Sequence, residues 1–303
     1  MISRLLRASP TALLLVLFCM LFGWQLILGG DREHALLQNS LIVSPEEAAA
    51  ATSPSVQVPR RLRIAVITAV TEERSYIHLS LKNKDHYCRR HNYTFIVDFE
   101  QHSPYGVWWW KYNMVQRLAK TGEYDWIWWV DIDTLFTNTD IKVHEIIEDN
   151  LKRAPNPDDI DLLVTHDCNG LNTGSFLVRG HKRSLDLFQA IDEVRASVAE
   201  KEHDNILEQD AMGRLLKSNP EAAAKSLRLP SYLMNAYPPE IRCYEDKTVT
   251  DISAEWKPGY FYIHFAGAGI VVGGHDAVGR LMRKYEQYVI WGDWRTFYEN
   301  YER

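Results

Sequence analysis

The residues WWWKYNMVQRLAKTGEYDWIWWVDIDTLFTN, Trp108 to Asn138, read as a helix, a turn and a strand that ends in two carboxylates. Met114, Val115 and Leu118 recur at helical spacing, which predicts a helix from about Trp109 to Lys120 closed by Gly122. Asp125 to Val130 is apolar on both faces, as expected of a strand buried at the centre of a covered sheet. Asp131 and Asp133 follow, one residue apart. On an extended strand that spacing puts both side chains on one side, where they can converge on one ligand. Two carboxylates at a strand end with no cysteine beside them suit a hard divalent cation, Mg²⁺ or Mn²⁺, whose shell phosphate oxygens would complete. The plainer alternative is a strand-ending turn in which one of the acids caps a backbone N–H.

Around this stretch the chain alternates helix and strand. Arg63–Val70 is the expected first strand, Glu72–His91 a helix and Tyr93–Asp98 a second strand. Strand, helix and strand at this spacing predict a right-handed parallel unit, and so an α/β fold with a central mixed, mostly parallel sheet. Beyond the acids, Ile141–Arg153 is expected as a helix, Asp161–His166 and Gly174–Arg179 as strands, and Asp167–Thr173 between them as a polar loop. Helices are expected at about Ser184–Ser197, Gln209–Lys217 and Ala277–Tyr288, with a late strand at Tyr260–Phe265. No internal repeat and no second-domain linker interrupts this order.

The amino terminus has a different logic. Arg4 and Arg7 precede an uncharged run from Thr11 to Leu28, long enough for a membrane helix of roughly 17–25 residues. Positive charge on its amino side alone predicts a cytosolic tail at 1–10, a transmembrane anchor at 11–28 and delivery of the rest to the lumen. A cleaved signal peptide is the competing reading. Residues 29–61, rich in Ala, Ser and Pro, are expected as a flexible stem, and 62–303 as one luminal catalytic domain. Cys88, Cys168 and Cys243 lie in that domain and allow one disulfide at most, in a pairing the sequence does not name. Asn92-Tyr93-Thr94 is a glycosylation sequon. The net charge of -6 gives no reason to expect nucleic acid as a partner. Ten tryptophans supply core and flat platforms for sugar rings, with Trp108, Trp109, Trp291 and Trp294 the candidates for an acceptor.

An anchored α/β domain with paired acids after a central strand suggests an enzyme that uses a nucleotide sugar, with a cation neutralising the departing diphosphate. Such a site needs a third ligand, for which His264 is the best candidate. Gly267 would let the backbone approach a phosphate, and Lys111 could reach the pocket as a point charge.

Trp110-Lys111, Trp126 to Asp133, Gly170 to Phe176, Glu208-Gln209-Asp210 and His264-Phe265-Ala266-Gly267 occur in that order. Together they resemble galactosyl/mannosyltransferase family 34, which includes fungal α-galactosyltransferases, fungal Golgi α-1,6-mannosyltransferase subunits and plant xyloglucan xylosyltransferases. The resemblance runs from about Arg63 to Gly267. It implies a GT-A fold and a metal-dependent transfer with retention of anomeric configuration. On the matching positions, Asp131, Asp133 and His264 would bind Mn²⁺ (or Mg²⁺), and Lys111 and Gly267 would lie along the diphosphate. Thr68, Ala69 and Val70 would hold the nucleoside, and Asn172 and Gly174 would shape the donor-sugar pocket. Glu208, Gln209 and Asp210 would lie near the reacting carbon; by residue type alone they read as an exposed helix start. Plant members continue the histidine motif with a cysteine and a nearby lysine, whereas Ala268-Gly269-Ile270 stands here. The partners implied are UDP-galactose or GDP-mannose, a glycan acceptor, the Golgi membrane and other Golgi glycosyltransferases. A catalytically weak scaffold subunit of a Golgi mannosyltransferase complex is the alternative, and a secreted carbohydrate-binding module a third reading.

Overall fold

Trp126–Val130 forms the strand that the apolar run predicts, and all five of its residues are buried. In the computed structural model, which describes residues 61–243, 255–293, 295, 298 and 299, this strand lies inside a six-stranded sheet. The order of elements is β1 (Ile64–Ala69), α1 (Ile77–His91), β2 (Thr94–Asp98), α2 (Val107–Thr121), β3 (Trp126–Val130), β4 (Thr134–Phe136) and α3 (Val143–Leu151). Then come β5 (Leu162–Asp167), β6 (Gly170–Arg179), α4 (Arg183–Lys201), α5 (Glu208–Ser218), α6 (Pro220–Ala224), β7 (Ser226–Arg228) and α7 (Ser231–Met234). The last elements are β8 (Tyr262–His264), α8 (Ala268–Val271) and α9 (Ala277–Glu286).

The sheet order is β2-β1-β3-β6-β5-β7. Pairs β1–β2, β1–β3 and β5–β7 are parallel, while β3–β6 and β5–β6 are antiparallel. This is the mixed, mostly parallel sheet that the alternation predicts. Residues of each strand alternate between two cores, as the period of two requires. Ala65, Ile67, Ile127, Trp129, Phe176 and Val178 face one core with α2, α4 and α5. Ile64, Val66, Trp126, Trp128, Val130 and Leu177 face the other, with α1 and α3. Apolar residues on both faces of β3 are therefore accounted for by helices on both sides of the sheet.

Several expectations are corrected. The helix begins at Ile77, not Glu72, because Ser75 donates to the Asp276 carboxylate at 2.6 Å and the chain before it lines a cleft. Asp167–Thr173 is not a loop: β5 and β6 run almost to the tip, with Asp167 paired to Gly170 and Thr165 to Asn172. The late strand β8 does not join the main sheet. It pairs antiparallel with β4 in a separate two-stranded sheet, which puts Thr134 opposite His264. Gly122 does close α2, in the left-handed conformation that glycine adopts without strain.

The expected anchor at 11–28 lies outside the described residues, as does the stem up to residue 60; among those described, no helix is long and apolar enough to cross a membrane. Cys168 and Cys243 form a disulfide that ties the β5–β6 hairpin tip to the segment after Pro239–Ile241, and Cys88 is a free buried thiol. Converting Cys168 and Cys243 to serine should reduce unfolding stability by ~2–4 kcal/mol through the long loop the bond closes. Urea midpoints measured with and without reductant check this, and equal midpoints would contradict it.

Candidate active site

β3 ends at Val130 and β4 begins at Thr134, so Asp131, Ile132 and Asp133 occupy a tight turn and not extended strand. The two carboxylates therefore come together because of how the turn is pinned, and strand alternation is not the cause. Each carbonyl of the turn has a partner. Thr134 Oγ1 donates to Asp131 O at 2.7 Å, Ser80 Oγ to Ile132 O at 2.5 Å and Phe265 N to Asp133 O at 3.0 Å. Lys84 Nζ donates to Thr134 O at 2.9 Å and to Ser80 Oγ at 2.6 Å. With the backbone satisfied inward, the carboxylates are left to face the cleft.

His264, at the end of β8, is brought to them by the β4–β8 pairing. One ligand atom from each of Asp131, Asp133 and His264 lies within 4.8 Å of the others. His264 Nδ1 is 2.7 Å from Asn235 Oδ1, which can only accept, so the ring proton belongs on Nδ1. That leaves a lone pair on Nε2, which is buried without a hydrogen-bond partner and 3.4 Å from Asp133 Oδ1. A buried, unpartnered imidazole nitrogen facing two carboxylates is a donor set that fits a divalent cation. Without one, burial disfavours the imidazolium, but the nearby Asp133, Asp131 and Asp167 charges outweigh burial and raise the His264 pKa above its ordinary value. In the same way burial works against the Asp133 carboxylate, and His264 more than compensates, lowering its pKa. Gly174 completes the arrangement. A Cβ there would sit 2.2 Å from His264 Cε1, so only glycine leaves room for the ring.

A cavity of ≈ 250 Å³ opens beside the turn, lined by Ala69, Val70, Trp108, Lys111, Asp131 and Asp133 among others. It brings the end of β1 to the acids, as the resemblance implies for a nucleoside. Thr68 itself is fully buried, and its hydroxyl has no partner. Lys111 is not a solvated helix lysine. Its ammonium is buried between Asp131 Oδ1 at 3.4 Å and Glu208 Oε1 at 3.1 Å, and also donates to Thr173 O. Burial lowers its pKa, but the two carboxylates prevail and raise it, so it stays charged.

Glu208 is likewise no exposed helix start. It is buried, pairs with Lys111 and accepts from Thr173 Oγ1 at 3.1 Å. Gln209 Oε1 accepts the Thr173 backbone N–H at 3.0 Å, and Asp210 is exposed. Asn172 is fully engaged, donating to Asp167 and Tyr237 and accepting from Gly174 N at 2.8 Å. Gly267, at φ 75°, begins the short helix α8 and has open space about its Cα. Of the aromatic candidates, Trp108 is exposed at the cleft and Trp109 is core. Trp291 packs edge-on against His86 and under Lys82, and Trp294 lies outside the described residues.

The family described as galactosyl transferase GMA12/MNN10 matches residues 63–271. This chain belongs to that glycosyltransferase family. It is 26% identical over 242 residues to "Probable alpha-1,2-galactosyltransferase gmh1" of Schizosaccharomyces pombe, covering 69% of this chain and 67% of that one. It is 27% identical over 234 residues to "Probable alpha-1,6-mannosyltransferase MNN10" of Saccharomyces cerevisiae, covering 67% of this chain but 57% of the relative. "Probable xyloglucan 6-xylosyltransferase 5" of Arabidopsis thaliana is 36% identical over 119 residues, 38% of this chain and 26% of its own. The matched part thus spans from about a quarter to two thirds of the length of these relatives. Among solved structures, a glycosyltransferase involved in glycosylation of the major capsid of PBCV-1 superposes with TM-score 0.51 at 16% identity, over 73% of this chain and 99% of that one. At that identity the likeness concerns the fold alone.

Sequence reasoning missed Lys84, Asn235, Tyr76 and Arg74. Arg74 is an exposed cation on the cleft rim, paired with Glu72. Tyr76 lines the same cleft, and burial and then Asp133 push its pKa to about 12. Lys84 reads as one more polar position of an amphipathic helix, yet it is completely buried under the turn, and desolvation pulls its pKa down to about 7. Between that value and the ordinary lysine value of 10.5 the unfolded chain holds a proton that the folded one has released. Folding stability attributable to Lys84 should therefore rise with pH, by on the order of 1 kcal/mol per unit across that window. The stability difference between wild type and Lys84→Met, followed by urea unfolding from pH 7 to 10, is expected to shift in favour of wild type. A flat difference would contradict it.

Proposed function

We propose that this family member is a GT-A glycosyltransferase that moves a hexose from a nucleotide sugar, UDP-galactose or GDP-mannose, to a hydroxyl of a glycan, with retention of anomeric configuration. The observation that carries this reading is the convergence of Asp131, Asp133 and the unpartnered Nε2 of His264 at a cleft shared with the end of β1. The relatives' names supply the sugar classes, and retention follows the family resemblance.

Asp131, Asp133 and His264 would hold Mn²⁺ or Mg²⁺. When bound, that ion supplies neutralisation of the diphosphate. Ala69 and Val70 would take the nucleoside, and Arg74 on the rim would turn from its partner Glu72 to a phosphate. Lys111 would act from behind, because its charge is fixed between Asp131 and Glu208 and cannot swing onto the donor. Glu208 and Gln209 would be positioning residues, since both grip Thr173, the neighbour of the glycine that admits His264. In the transfer, the C1–O bond to the diphosphate breaks and the acceptor oxygen bonds C1 on the same face. The acceptor proton passes to a diphosphate oxygen.

The surroundings support a secretory compartment. The Cys168–Cys243 disulfide suits an oxidising lumen, Asn92 of the sequon is exposed, and the apolar run at 11–28 would serve as an anchor in the Golgi membrane.

Purified full chain with Mn²⁺ should release nucleoside diphosphate from UDP-galactose or GDP-mannose. Asp133→Asn should cut the rate by at least ~10²-fold, as loss of a charge-stabilising group does, with an unchanged circular dichroism spectrum. Undiminished turnover in that variant, or in excess EDTA, would overturn the reading. Because a protonated His264 has no lone pair to give, Mn²⁺ affinity should fall as pH drops through a value above the ordinary histidine 6.5, the direction of its shift. Titrations of Mn²⁺ by water-proton relaxation at pH 6 to 8 check this; affinity independent of pH would contradict it.

A further inference from the structure

A second cavity, of ≈ 370 Å³, adjoins the first, and Trp108 forms part of the wall of both. Its other lining residues include Tyr105, Arg195, Asp204, Asn205 and Leu207. Tyr105 and Trp108 are 50% and 59% exposed, an unfavourable placement for two large aromatic side chains that could have been packed. Tyr105 is held in place. Arg195 lies 3.4 Å over its ring and is itself paired with Asp192 at 2.7 Å, so one face of the ring is held by a cation that is already neutralised. Tyr105 also meets Trp109 edge-on at 6.3 Å, and Trp109 belongs to the core.

The charge pattern defines the ligand. Arg195 is the only cation among the described residues lining this cavity, and it is paired with Asp192, while Asp204 adds a carboxylate. A phosphate or nucleotide would meet net negative charge there. Exposed aromatic faces beside a carboxylate and a carboxamide instead suit a neutral polyol: a pyranose lays its C–H face on a ring and its hydroxyls reach the rim.

Position defines the role. Trp108 precedes Lys111 by one helical turn on α2, and Leu207 immediately precedes Glu208, the other partner of that buried pair. The cavity thus runs between the two elements that brace the Asp131 side of the metal turn. We infer that this cleft, built on Tyr105, Trp108 and Asp204, is the subsite for the neutral glycan acceptor, whose reacting end would enter the adjoining cleft past Trp108. This deepens the function proposed above and rests on it for the word acceptor.

The test uses the full chain and two neutral oligosaccharide probes, α-1,6-mannotriose and β-1,4-mannohexaose. Titration should give a saturable change in tryptophan emission with at least one of them. Tyr105→Ala and Asp204→Ala should each raise its Kd at least tenfold, and Tyr105→Phe should restore binding to within threefold. In transfer assays the same alanine variants should raise the acceptor KM while kcat stays within threefold, which a misfolded protein would not do. No saturable change with either probe, or a Kd within twofold of wild type in both alanine variants, overturns the proposal. Donor hydrolysis by wild type without acceptor reports separately on the function. A chain that hydrolyses donor but binds neither glycan keeps the function and loses this subsite. A chain that binds glycan through Tyr105 but hydrolyses no donor keeps the subsite as a glycan site and loses the catalytic reading.

Discussion

The turn from Asp131 to Thr134 is fixed by its carbonyl groups. Three parts of the chain contribute to this. The hydroxyl of Ser80 and the amino group of Lys84 come from α1, the backbone N–H of Phe265 follows β8, and Thr134 closes the turn on itself. Unmade, such bonds would leave buried carbonyls at a cost of about 1–3 kcal/mol each. Made, they hold two carboxylates close together although like charges repel. Preorganisation of this kind is what a cation site needs if binding energy is not to go into ordering the ligands.

Charges around the turn are arranged in balanced sets. Lys111 lies between Asp131 and Glu208, and Glu208 and Gln209 grip Thr173. On the other side, Asn235 orients His264 and Tyr237 helps Asn172 and Asp167 hold the hairpin tip, which the disulfide ties down. Several residues that a motif comparison would assign to the substrate are thus engaged with one another. They keep His264 and the two acids in register.

Much of this is legible in the residues. An unbroken apolar strand could only be central, and the alternation of helix and strand could only give an α/β sheet; both hold. The pairing of Asp131 with Asp133 is legible, and His264 can be picked out because it ends a late strand before a glycine. The physical basis of their meeting is not legible, since it depends on β8 leaving the main sheet to pair with β4, a choice made by tertiary packing of Leu135, Ile263 and Phe265. Lys84 is hidden for a related reason. Lysine reads as solvent-facing, and nothing local says that a carbonyl 50 residues further along the chain needs a donor. Glu208 is easily misread because an acid in the first turn of a helix is so well explained by the helix dipole. Gly174, by contrast, is assigned by the resemblance to a sugar pocket, and the geometry shows it making room for an imidazole.

All of this converges on one nitrogen atom. Pulsed electron paramagnetic resonance of the full chain loaded with Mn²⁺, after uniform ¹⁵N-histidine labelling, reads directly whether an imidazole is bound to the ion. A single ¹⁵N hyperfine coupling of directly coordinated size is expected, and it should disappear in His264→Ala. A Mn²⁺ signal carrying only oxygen ligands, unchanged by that substitution, would contradict it.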